Sequence, residues 1–276
     1  MLGKLIKYDM RSQRRILLPL TLAILAASLL CTVALRFLIT AIADDTTGFT
    51  TMMFAASTGV FVFLNAIAIL VYPTVTLILV MVHYYRNLYT DEGYLTFTLP
   101  VKTSQILASK FITAVIWSTI SSVVVIICAG IIILFGTTTE GIINLDVING
   151  FGEVVSWLFD WIGWSIAGLY ALNAVSGSLY VIAILFLSIT IGSIAAKKHK
   201  VLASIGIYYL FNLVTSIIMN IISVIMMFTA LAGDIDTSFT FTTTFTPLIN
   251  SIIYLGFGAA AVVACRHLMR NNLNLP

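Results

Sequence analysis

The sequence predicts an all-α, polytopic membrane protein with six transmembrane helices and both termini on the cytoplasmic side. Three observations predict it. Six apolar stretches lie at roughly 16–43, 60–82, 106–135, 169–196, 201–231 and 247–265, and a hydrocarbon core needs about 20 helical residues to cross. Hydrophobic residues make up 60% of the 276 and charged residues only 9%, where a globular chain carries about a quarter charged. The segments between the stretches also alternate in charge.

Lys4, Lys7, Arg11, Arg14 and Arg15 precede the first stretch, and Asp44 and Asp45 follow it. Arg86, Lys102 and Lys110 follow the second, and Glu140, Asp146, Glu153 and Asp160 the third. Lys197, Lys198 and Lys200 follow the fourth, Asp234 and Asp236 the fifth, Arg266 and Arg270 the sixth. Thirteen of the 14 basic residues thus share one side, and eight of the 11 acids lie opposite. Basic loops stay in the cytoplasm. A net charge of +3 spread over such loops sets orientation beside anionic head groups and is no sign of nucleic-acid binding. One transmembrane domain, 1–276, accounts for the chain, with no room for a soluble domain of ordinary size.

Residues 2–15 alternate Leu2, Leu5, Ile6 and Met10 with Lys4, Lys7, Arg11 and Arg14. That pattern predicts an interfacial amphipathic helix over 1–15, lying on the cytoplasmic surface before the chain turns into the bilayer. The apolar run behind it is too long for a signal peptide and ends in no small-residue cleavage site, so it reads as an uncleaved first span. Arg36 lies twenty residues beyond Ile16, about 30 Å of helix rise, which puts it near the outer interface where its side chain can snorkel.

In the second span, Pro73 removes a backbone bond, and Asn65 has the chemistry to hydrogen-bond a neighbouring helix. The third span holds Ser118, Thr119, Ser121 and Ser122 beside Trp117. Such hydroxyls bond a carbonyl one turn earlier or an adjacent helix. Arg36, Asn65, Ser118, Ser121 and Ser122 are the candidate pathway-lining residues.

Two extracellular segments are expected, at 136–168 and 232–246. In the first, Trp157, Trp161 and Trp164 share one helical face, and indole favours the head-group region, which makes them outer-interface anchors. The second, with Phe239, Phe241 and Phe245 among threonines, reads as too polar to span. Gly256, Gly258 and Ala259–Ala261 give the sixth span a close-packing face. Cys31, Cys128 and Cys265 are odd in number and each lies within a span, so they read as small packing residues and not as a disulfide framework.

The cytoplasmic segment 84–104 is the specific part. It contains Asp91-Glu92-Gly93-Tyr94-Leu95-Thr96-Phe97-Thr98-Leu99-Pro100, with Ser104 placed to cap the third span. Acids beside exposed aromatics suit a surface that another protein covers. The stretch 91–100 resembles the segment after the second span in permease subunits of ATP-binding-cassette (ABC) exporters of the second type. The basic N-terminus, the six spans and the cytoplasmic C-terminus match that family too, although the recognisable motif covers about twenty residues.

The resemblance implies a coupling helix that docks on a separate ABC ATPase, with Asp91, Glu92, Gly93, Tyr94 and Leu95 in the contact and Leu99 and Pro100 closing it. It also implies a dimer with a second permease copy or a paralogue, in a bacterial plasma membrane. ATP and Mg would sit on the partner ATPase and none on this chain, which has no Gly-x-x-x-x-Gly-Lys-Ser/Thr loop. The expected activity is export of a hydrophobic or peptidic substrate by alternating access, without an enzymatic site of its own.

The alternative from another class is a non-enzymatic six-span substrate-binding or scaffold subunit, which would share the topology. A rhomboid-like protease built on Ser176-Gly177 would need a histidine at bilayer depth, and His83, His199 and His267 all fall at cytoplasmic ends. No His/Glu cluster with metal-ligand spacing is present. No carboxylate sits at mid-membrane for ion-driven transport.

Overall fold

The computed structural model describes residues 2–43, 48–90, 103–136, 152–153, 156, 163–196, 199–231 and 235–271. They form six long α-helices and, among the described residues, no strand: α1 (Leu2–Ala43), α2 (Phe49–Tyr89), α3 (Thr103–Gly136), α4 (Trp164–Ala195), α5 (Lys200–Leu231) and α6 (Ile235–Asn271). All six are long and apolar enough to cross a membrane. The physical reason is common to all. Lipid offers no partner for backbone N–H and C=O groups, and a helix satisfies them within one segment. This is a multi-pass membrane protein.

Three boundaries differ from the sequence reading. The amphipathic residues 2–15 are helical, but they are the first turns of the 42-residue α1 and not a separate helix. No glycine interrupts 4–43, and Pro19 lies inside the helix without ending it. Residues 235–246, expected to be a polar connection, are instead the opening of α6. Glycine and proline are absent from that stretch. Ser104 is the second residue of α3 and not a cap, because Thr103 is already helical.

Packing divides the chain into two units. The first comprises Met1–Lys7, Met81–Val115 and Phe159–Pro276, and the second Tyr8–Val80 and Ile116–Leu158. In unit 1, α4 packs most extensively on α6, less on α5, and α5 least on α6. Hence α4 is the most buried helix there: Tyr180, Ile182, Ala183, Ile184, Phe186 and Leu187 are each at most 5% exposed. The Tyr180 hydroxyl donates to Thr215 Oγ1 of α5 at 2.7 Å. The Asn173 amide donates to the Pro247 carbonyl of α6 at 3.3 Å. Gly258 of α6 faces the backbone of Tyr180, where an added Cβ would make an ordinary contact at 3.6 Å from its Cα.

Among the described glycines, the closest approach is between α4 and α5. A Cβ added at Gly192 would stand 2.6 Å from the backbone nitrogen of Ser204 and 2.7 Å from its Cα. Backbone atoms cannot rotate away as a side-chain tip can, so Gly192→Ala must part the two helices. We expect a loss of about 1–3 kcal/mol, the usual range for overpacking. The melting temperature of the detergent-solubilised variant measures it, with Gly206→Ala, which meets nothing within 4 Å, as the control. Equal melting of the two variants would refute the crossing.

Unit 2 is built differently. Its core joins Ile69 and Tyr72 of α2 to Val124 and Cys128 of α3, flanked by Leu20, Ile24 and Leu25 of α1 and by Ile120, Val125 and Ile132. Cys31 and Cys128 are fully buried free thiols there, and Cys265 is a third in unit 1. That agrees with packing roles for all three.

Candidate functional site

The last two turns of α2 carry the sequence His83-Tyr84-Tyr85-Arg86-Asn87-Leu88-Tyr89 and lead directly into residues 91–102. Tyr84 and Leu88, four residues apart and so on one face, are 1% and 0% exposed. The Tyr84 ring lies flat on Phe186 of α4, with centroids 4.0 Å apart and planes 4° from parallel. Phe111 of α3 meets the same Phe186 edge-on at 6.0 Å. All of these residues belong to unit 1.

A hydroxyl knot sits on top of this stack. Thr190, buried in α4, donates its single proton to the Phe186 carbonyl at 2.8 Å. Its oxygen retains two acceptor positions. Tyr89 donates to it at 2.8 Å, and the Tyr84 hydroxyl lies 3.2 Å away, so Tyr84 is the donor of that pair as well. The Cys265 thiol of α6 is 3.2 Å from Thr190 Oγ1 and 3.7 Å from the Tyr84 hydroxyl. Met269 Sδ lies 4.0 Å from the same Tyr84 hydroxyl. Two tyrosines one turn apart on α2 are thereby tied to one threonine of α4 and two sulfur side chains of α6.

This cluster joins α2 to α4 and α6. It contains hydroxyls, a thiol and a thioether, linked through Thr190 and Tyr84. Among the described residues no three His, Cys, Asp or Glu side chains come together to hold a metal. The strength of the knot lies in burial. A buried hydroxyl that loses its partner costs more free energy than an exposed one.

The residues expected from the sequence fall in several places. Asp91, Glu92, Gly93, Tyr94, Leu95, Leu99 and Pro100 lie outside the described residues, as do Trp157 and Trp161. Trp164 is the first residue of α4. Arg36 is half-buried on α1, and its carbonyl accepts from Thr40 Oγ1 at 3.0 Å. Ser121 and Ser122 both donate to the Ser118 carbonyl, at 2.8 and 3.0 Å, so those two hydroxyls are spent on their own helix. Asn65 is 4% exposed on α2, and its side chain lies against the Cys31 thiol of α1.

Tyr84, Tyr89, Phe186, Thr190 and Cys265 were invisible as a site. The aromatic run at 83–89 was a signal, but a threonine inside the apolar run of α4 and a cysteine in α6 look like packing residues until the helices meet.

Comparisons with protein-family models, with curated proteins and with solved structures return no match for this chain.

Proposed function

We propose that the chain is the permease subunit of an ATP-driven exporter of the second ABC type, working as a dimer in a bacterial plasma membrane with both termini in the cytoplasm. The observation that carries this reading is the joint at the end of α2. The helix that leads into the Asp91–Pro100 segment is bolted to α4 and α6 in the two turns before that segment begins. A pull on the segment therefore reaches two further membrane helices without passing through a flexible linker. Nucleotide-driven transport needs such a link, because ATP is spent on a separate polypeptide and the work is done in the bilayer.

In this reading Asp91, Glu92, Gly93, Tyr94 and Leu95 contact the ATPase, with Leu99 and Pro100 closing the contact. ATP and Mg stay on that partner. Closure of two ATPases draws on the segment, and α2, α4 and α6 move together to open the outer side. Arg36, Asn65, Ser118, Ser121 and Ser122 are the pathway candidates, and the Trp157–Trp164 segment anchors the outer interface. The cargo is hydrophobic or peptidic.

The test is a pull-down of the tagged full chain from its native membrane in mild detergent, read by mass spectrometry. An ATPase with a phosphate-binding loop, recovered in stoichiometric amount, is the expected result. A preparation free of any ATPase, even after cross-linking in intact cells, would overturn the exporter reading in favour of a stand-alone binding or scaffold subunit.

A further inference from the structure

Helix α5 lies wholly in unit 1 and is the least covered of the six. Of its most apolar stretch only 6% is buried, against 22–50% for the other helices. Its inner side is narrow. Ser204 and Thr215 are buried about three turns apart on one line, against Gly192 and Tyr180 of α4. Aliphatic and aromatic side chains cover most of the rest, as contact with lipid demands.

Three residues depart from that rule. Ser216, Asn220 and Ser223 are exposed, and they do not lie at the helix ends. Ser216 is near the midpoint of the span Lys200–Thr229, and Asn220 is about 8 Å from that midpoint. The hydrocarbon reaches about 15 Å to either side of its centre. Of the asparagines whose side chains are described, only Asn220 is exposed. It donates one amide hydrogen to the Ser216 carbonyl at 2.8 Å. Ser216 and Ser223 donate to the carbonyls of Leu213 and Asn220, at 2.9 and 2.8 Å. An amide has a second N–H and a carbonyl oxygen, and a serine oxygen that donates can still accept. Lipid cannot meet that capacity. Membrane helices meet it by bonding across to another helix.

The spacing identifies that helix. Tyr209, Leu213, Ser216, Asn220, Ser223 and Met227 are all exposed and follow one another at intervals of four, three, four, three and four residues. This is the 3.5-residue repeat of a helix that packs along its length on a like helix. A lone asparagine in such a seam bonds its counterpart across a parallel pair and fixes the register. Serines to either side of it let the two backbones come close. Two copies of one sequence insert in the same orientation, so their α5 helices can run parallel about a two-fold axis along the membrane normal. The line lies about a third of a turn round α5 from Ser204 and Thr215, so pairing leaves the contact with α4 in place.

We propose that the line from Tyr209 to Met227 is a homodimer seam, held in register by hydrogen bonds between the Asn220 amides of two copies. It gives the dimer of the exporter reading a contact surface, and rests on that reading for the copy number but not for the ATPase.

Cysteine cross-linking of the full chain in its native membrane tests the seam, with copper-phenanthroline as oxidant. Cys31, Cys128 and Cys265 are buried, so the unaltered chain sets the background. Ser216→Cys and Ser223→Cys should give a disulfide-linked dimer at about five times the yield of Ile221→Cys and Ile225→Cys, whose side chains are 55% exposed on another side of α5. Equal yields from all four variants would overturn the seam. Asn220→Leu leaves the contacts inside unit 1 alone and should weaken dimerisation about tenfold, read by energy transfer between labelled copies diluted in lipid vesicles. Asn220→Gln keeps an amide and should recover most of that loss. Pairing of Asn220→Leu as tight as that of the unaltered chain would overturn the amide bond and with it the proposal. The two failures separate cleanly. A pull-down without ATPase, beside strong cross-linking of Ser216→Cys, sinks the exporter reading and keeps the seam. An ATPase recovered beside uniform cross-linking keeps the exporter reading and removes the seam.

Discussion

Glu92→Lys should insert at wild-type yield and lose its ATPase. Insertion is expected to survive because the change adds a positive charge to a loop that the charge pattern already assigns to the cytoplasm, which reinforces the topology. Docking is expected to fail because the carboxylate at the proposed ATPase contact is replaced by a group of opposite sign. Truncating one partner of a buried, hydrogen-bonded charge pair costs roughly 2–5 kcal/mol, or about 30- to several-thousand-fold in affinity, and reversal costs no less. Glu92→Gln keeps the shape and removes only the charge, so its loss should be smaller. Co-purification of the ATPase with each variant, normalised to recovered permease, gives the ranking wild type, Gln, Lys. An undiminished yield of ATPase with Glu92→Lys would remove the docking role from this segment, whatever the variant does to transport.

The second large effect is expected at Thr190. Thr190→Val preserves the side-chain shape, deletes the shared acceptor and leaves the Tyr84 and Tyr89 hydroxyls without it. An unsatisfied buried group costs about 1–3 kcal/mol in proteins generally, while single interhelical hydrogen bonds in membranes average about 0.6 kcal/mol. With two donors losing one acceptor, we expect about 1–3 kcal/mol in total. Tyr89→Phe removes a donor and leaves Thr190 paired with Tyr84, so its cost should stay below about 1 kcal/mol. Thermal melting of Thr190→Val, Tyr89→Phe and the double variant forms a cycle. If Thr190→Val melts no lower than Tyr89→Phe, the threonine is not the hub. A second reading links the knot to the proposed mechanism: Thr190→Val should keep its ATPase on pull-down, in contrast to Glu92→Lys. The joint lies behind the docking segment and not in it.

What the sequence by itself determined is the class of the protein and the number of its spans. Apolar run length and the alternation of charge are one-dimensional signals, and the bilayer reads them one segment at a time. The spans accordingly appear as six helices in the expected order. Helix ends were less legible. Residues 2–15 and 235–246 look like surface or connecting segments by polarity, yet nothing in either stretch stops a helix, and helix propagation continues once nucleated. Partners were not legible at all. Asn65 and Asn220 are both asparagines inside apolar runs, and only the tertiary structure distinguishes the one bonded to its own helix from the one buried against the Cys31 thiol of α1. Thr190, Tyr84, Tyr89 and Cys265 span more than 180 residues of chain, and no local pattern announces that they meet. Spans follow from composition because lipid is a uniform solvent. Sites follow from helix packing, where one close crossing such as Gly192 on Ser204 decides which few polar atoms face each other.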